Sequence, residues 1–229
     1  DKSVLVSGDQ TKNDIFTVLM TTAAKQITGI RLEALPHESL PFGGPGRATI
    51  HAGVEKGGEF FLSGIKFEVR QGTDQKWMPV KPASAKASFA RDNRLAEHSI
   101  DGKSDTGWSV NPRIAERHQA VYQFADPIEN ATGQLQFRIR LEHESFHPAG
   151  LGRFRFSVTD QAGELQAFDR PLQIEQILRK RAGGRTLNEK RALMQRFLEQ
   201  TPLLKKEQEH LANLTQQLPD YPTTLVMQE

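Results

Sequence analysis

The sequence predicts a mainly β fold, an antiparallel β-sandwich of the jelly-roll kind, followed by an α-helical segment. From residue 1 to about 170, short runs alternate apolar and polar residues with a period of two. Clusters of Gly, Pro, Asn and Asp separate these runs, and no convincing helix lies between them. Beyond about residue 170 the apolar period becomes that of a helix. The chain therefore divides into a β-sandwich domain over 1–170 and an α-helical hairpin or linker over 171–229.

The strand signals come in order. The chain opens inside a run that reads as a strand and continues with "IFTVLMT" (15–21) and "ITGIRLEAL" (27–35). The Gly- and Pro-rich stretch 36–59 is the longest irregular segment, of the length at which a loop in a β domain is functional or mobile. "FFLSGIKFEV" (60–69), "AVYQFA" (120–125), "GQLQFRIRLE" (133–142) and "GRFRFSVTD" (152–160) follow. In the last two the alternation is cleanest. Leu135, Phe137, Ile139 and Leu141 point one way against Gln136, Arg138 and Arg140, and Phe154, Phe156 and Val158 oppose Arg153, Arg155 and Ser157. Paired with each other, these two strands would put four arginines on one face.

The helical part starts at Pro171, a residue suited to a first turn, and its first helix stops at Gly183 and Gly184. Thr186 and Glu189 have capping-box spacing at the start of "TLNEKRALMQRFLEQ". A third helix is expected after the cap Thr201, with Leu204, Leu211, Leu214 and Leu218 along one stripe. Such a narrow apolar stripe needs a surface to pack on. The abrupt start and the end at "TTLVMQE" read as a segment excised from a longer protein.

Composition removes several function classes. The 30 Lys and Arg residues nearly balance 28 Asp and Glu, which argues against a nucleic-acid partner held by bulk charge, although a local basic face stays open. The absence of cysteine excludes a disulfide scaffold, a cysteine zinc site and a haem attachment motif within this chain. No apolar run reaches the length of a membrane span, and "DKSVLVSGDQ" lacks the pattern of a signal peptide.

No enzyme constellation emerges. A Gly-x-Ser-x-Gly elbow and a phosphate-binding loop are both missing, and "GGPG" at 43–46 reads as a turn. His143 and His147 in "EHESFH" have a metal-like spacing only on a helix, whereas this stretch reads as a hairpin loop. The loop "SIDGKSDTGWSV" (99–110) is richer. Asp101, Ser104 and Thr106 offer hard oxygens suited to calcium, which takes roughly six to eight of them. The alternative is a tight turn in which Asp and Ser bond their own backbone while Trp108 plugs the core. For a sugar ligand, Arg138, Arg140, Arg153 and Arg155, with His143 and His147 on the connecting loop, suit an acidic or sulfated glycan, and Trp77 is the candidate aromatic platform. The plainer account of the same arginines is ion pairing on an outward sheet face.

Two resemblances rest on these residues. "SIDGKSDTGWSV" resembles the Asp-Gly…Thr-Gly-Trp signature of discoidin-type, galactose-binding-like sandwiches. That family implies a structural calcium beside Asp101 and Thr106, a core Trp108 and, in many members, carbohydrate binding. More broadly, "DIFTVLMTTAAKQITGIRLEALPHESLPFGGPGRA", "HQAVYQF", "HPAGLGRFRFSVT" and "PTTLVMQE" resemble a region of large planctomycete proteins with an exported c-type cytochrome domain and conserved domains of unknown function. The likeness runs from about residue 9 to 229. It implies a non-catalytic polysaccharide-binding module of an exported protein, with calcium as the one cofactor. A structural module contacting the flanking domains is the alternative. Where that family reads "GNF", this chain has "KGGEFFLSGIKFEV", so no ligand role is carried over for that Asn.

Overall fold

Alternating burial along the strands decides which face of each sheet meets the core. The computed structural model describes residues 1–49, 57–72, 76–145, 147–168, 172–207, 210 and 214. Two units separate by contact, Asp1–Asp169 and Arg170–Glu229.

The first unit contains β1 (Val4–Leu5), β2 (Asn13–Thr22), β3 (Gln26–Ala34), β4 (Gly64–Gln71), β5 (Met78–Val80), β6 (Pro82–Ala87), β7 (His118–Glu129), β8 (Leu135–Glu144) and β9 (Arg153–Thr159). They form two antiparallel sheets with the orders β1-β9-β3-β7-β6 and β2-β8-β4-β5. The sheets face each other across an aromatic core. Phe67 of one sheet lies 5.4 Å from Tyr122 and 5.9 Å from Phe124 of the other, and Phe124 stacks on Phe137 at 6.4 Å. The chain is thus mainly β and sandwich-like. Trp108 is fully buried, edge-on to Phe60, and its Nε1 donates to the Phe89 carbonyl at 3.0 Å.

Two expectations about the late strands are corrected. β8 and β9 do not pair: β8 lies between β2 and β4, so both its edges are already hydrogen-bonded, and β9 joins the opposite sheet between β1 and β3. The four arginines consequently occupy two different outer faces. In addition, residues 142–144 are strand rather than hairpin loop, because the Ser63 backbone N–H and hydroxyl both donate to the Glu142 carbonyl at 2.9 Å and extend the ladder.

Residues 160–168 run back over the outer face of the five-stranded sheet, a path that no periodicity announces. The Thr28 hydroxyl donates to the Gln161 carbonyl, Gln123 donates to the Gly163 carbonyl and accepts from the Leu165 N–H, each at 2.9 Å. Leu165 is buried over Gly29, where a Cβ would sit 2.4 Å from its methyl.

The second unit has α1 (Leu172–Arg179) and α2 (Leu187–Gln200). The capping box forms: the Glu189 N–H donates to the Thr186 hydroxyl at 3.2 Å, and the Thr186 N–H donates to the Glu189 carboxylate at 2.9 Å. Residues 205–207 are helical, whereas Pro171, Leu211, Leu218 and the terminal "PTTLVMQE" lie outside the described residues.

Candidate functional site

Each arginine singled out from the sequence has a carboxylate partner. Arg138 makes a two-pronged contact with Glu68 at 2.5 and 2.7 Å, and this contact holds the Glu68 carboxyl below its usual range. Arg140 pairs with Glu142 at 2.9 Å. On the other sheet Arg153 pairs with Asp1, and Arg155 pairs with Glu33 at 2.7 Å. Outward sheet positions thus carry internally balanced charge, and the expected single cationic face does not form.

Glu33 is the centre of the strongest of these clusters. Its side chain is fully covered, yet Arg31, Arg117 and Arg155 converge on it. Burial alone would raise its pKa. The hydrogen bond from Arg155, the Arg31 charge and the Arg117 contact outweigh that effect and bring it to about 2.

The two histidines part company. His143 belongs to β8 and points into the core with 0% exposure, its Nδ1 at 2.9 Å from the Phe61 carbonyl and its ring 4.9 Å from Phe16. Desolvation dominates there and lowers its pKa to about 4, so the ring is neutral and unsuited to meeting a ligand. His147 lies on the following loop and lines a cleft. Trp77 is half-buried with the Arg70 and Arg138 guanidiniums over its ring at 4.5 and 4.8 Å. Protein cations therefore already use the ring as a platform.

In the 99–110 loop the Asp101 carboxylate accepts from the Lys103 N–H at 2.9 Å and from the Thr106 hydroxyl at 2.8 and 3.0 Å. Desolvation raises its pKa, but these bonds and the nearby Lys103 and His98 charges give a net lowering. Ser104 is exposed beside it. The loop closes on itself as an Asp-anchored turn. Among the described residues no group of three or more His, Asp or Glu side chains gathers.

That loop separates two clefts, and Ser104 lines both. The larger, about 720 Å³, runs along β4 and includes Arg140 and Asp101. The other, about 500 Å³, collects Glu59, Phe61, Arg91, Arg94, His147 and neighbouring polar groups from five separate segments. Tight backbone contacts build its floor. Gly46 donates to the Gly58 carbonyl at 2.9 Å, and a Cβ on Gly46 would sit 2.0 Å from the Glu59 carbonyl oxygen, so only glycine allows this approach. Glu59 is thereby buried to 5% exposure, accepting from the Ser109 hydroxyl and from Asn111 at 3.2 Å. Arg94 lies over the Phe61 ring at 4.7 Å and donates to the Asp105 carbonyl at 2.8 Å. Arg91 is exposed, and its guanidinium makes no hydrogen bond or ion pair with the described residues. Sequence reasoning missed Glu59, Phe61, Arg91 and Arg94. The available signal was the "RDNR" turn at 91–94, where Asn93 takes a positive φ of 57° and sets two arginines on one short loop.

No family model matches the chain, and neither a curated protein nor a solved structure matches it. Among the described residues no helix is long and apolar enough to cross a membrane.

Proposed function

We propose that residues 1–170 are a non-catalytic carbohydrate-binding module of the jelly-roll, galactose-binding-like type within a larger exported protein, and that a polysaccharide occupies the Glu59–Arg91 cleft. The observation that carries this reading is a concave site made by loops, with an unengaged cation at Arg91, a buried carboxylate at Glu59 and, in its wall, the Phe61 ring held beneath Arg94. A sugar offers an apolar ring face and hydroxyls that both donate and accept, so it needs an aromatic surface beside fixed acceptors and donors. An acidic or sulfated sugar would add an anion for Arg91. The sandwich type is supported by the way the chain crosses between sheets at β2 to β3, β3 to β4 and β8 to β9.

Affinity electrophoresis through gels containing neutral, carboxylated and sulfated polysaccharides tests this. We expect one class to retard the chain and Arg91→Ala to migrate freely with unchanged thermal stability, since Arg91 is exposed. Free migration of the wild type through the whole panel overturns the reading, and turnover of a polysaccharide overturns its non-catalytic part. A second reading, a structural module between flanking domains, rests on α2, which leaves Leu187, Met194, Phe197 and Leu198 exposed.

A further inference from the structure

Sheet edges present rows of unpaired backbone N–H and C=O groups, and most edges here are blunted. β1 has two residues, β5 has three and contains Pro79, and β6 starts at Pro82 and carries Lys86. β2 is the exception. It is ten residues long, "NDIFTVLMTT", with no Lys, Arg or Pro, and among the described residues it pairs only with β8. On its outward face Ile15 is 45% and Leu19 69% exposed, while Phe16, Val18 and Met20 pack against the core. Asp14, near one end, is the one charged residue of this strand, and the eight residues that follow it carry no charge.

We infer that the free edge of β2 is a homodimer interface, on which β2 of a second copy adds antiparallel about a two-fold axis at Thr17. The sequence of the strand selects this partner. Side chains directly opposite in an antiparallel pair share a face, so an exposed residue must oppose an exposed one. With Thr17 opposite Thr17, Ile15 lies opposite Leu19 twice, and the two largest exposed apolar side chains cover each other. Shifting the axis to Val18 would instead set Ile15 against Thr21 and Leu19 against Thr17. The strand's only charge, Asp14, falls opposite Met20 and far from its own copy. Two sheets would join into one continuous sheet. This inference does not depend on glycan binding.

The full chain lacks cysteine, so an introduced thiol is unique. Sedimentation of the full chain over a concentration series is expected to show a monomer–dimer equilibrium. Leu19→Lys, at an exposed position, should leave the monomer as stable as wild type diluted below its dimer range, and remove the dimer at concentrations where the wild type is dimeric. Under mild oxidation Thr17→Cys should crosslink, because opposed Cα atoms lie about 4.5 to 5.5 Å apart, within disulfide reach. Thr21→Cys should not, since its two copies would be about 26 Å apart along the strands. A wild type that stays monomeric, a dimer that survives Leu19→Lys, or a dimer without the Thr17 crosslink overturns the inference.

Discussion

Glu33→Gln keeps the shape of a buried side chain while removing the charge on which Arg31, Arg117 and Arg155 converge. The carboxyl titrates at about 2 in the folded chain against the ordinary 4.5 of the unfolded chain, a difference of roughly 3 kcal/mol of stability at neutral pH. The sign follows from a depressed carboxyl. Its contribution is fully present above about pH 4.5 and is lost as pH falls through about 2, because only the unfolded chain takes up the proton in between. Urea unfolding of wild type and Glu33→Gln at several pH values isolates this group, since other carboxylates affect both proteins alike. The gap should be roughly 3 kcal/mol at neutral pH, shrink to roughly 1 kcal/mol near pH 3, and nearly close at pH 2. A gap below about 1 kcal/mol at pH 7, or one that is the same at pH 3 as at pH 7, would refute the reasoning that three cations stabilise one buried anion.

Other expectations concern the core and the turn. His143 is held neutral, so its contribution is complete above about pH 6.5 and is lost as pH falls toward 4. His143→Gln should flatten stability against pH in that window, and an unchanged slope would show that the ring does not titrate there. Asp101→Ala removes the bonds to Lys103 and Thr106 and should cost about 1 kcal/mol in thermal unfolding. The loss should be equal with calcium and with a chelator. A calcium-dependent rise in the melting temperature of the wild type, absent from the variant, would instead make this loop a cation site.

Strand alternation was legible wherever one face is buried. Leu135 to Leu141 show it residue by residue, because period-two burial writes itself into the sequence. Which strands pair was not legible, since pairing depends on long-range contacts. β8 and β9 are consecutive and similarly patterned, yet they lie in different sheets. β6 escaped notice because "PASAKA" has little apolar contrast. His143 illustrates a related failure, as a polar residue at an inward position resembles a loop residue until the ladder is seen to continue through it. The cleft was hidden most completely. Glu59, Phe61, Arg91 and His147 are far apart in sequence, and only the glycine-permitted contact of residues 46 and 58 brings the Glu59 backbone into place.

The chain's two tryptophans sit in opposite surroundings. Trp108 is sealed in the core with its indole N–H bound to a carbonyl, whereas Trp77 lies partly in water beneath two guanidiniums. Their emission should therefore be resolvable, with a blue component shielded from acrylamide and a redder one open to it. Trp77→Phe would leave Trp108 as a single intrinsic fluorophore for global unfolding, and Trp108→Phe would leave Trp77 to report on the outer face of the β8 sheet.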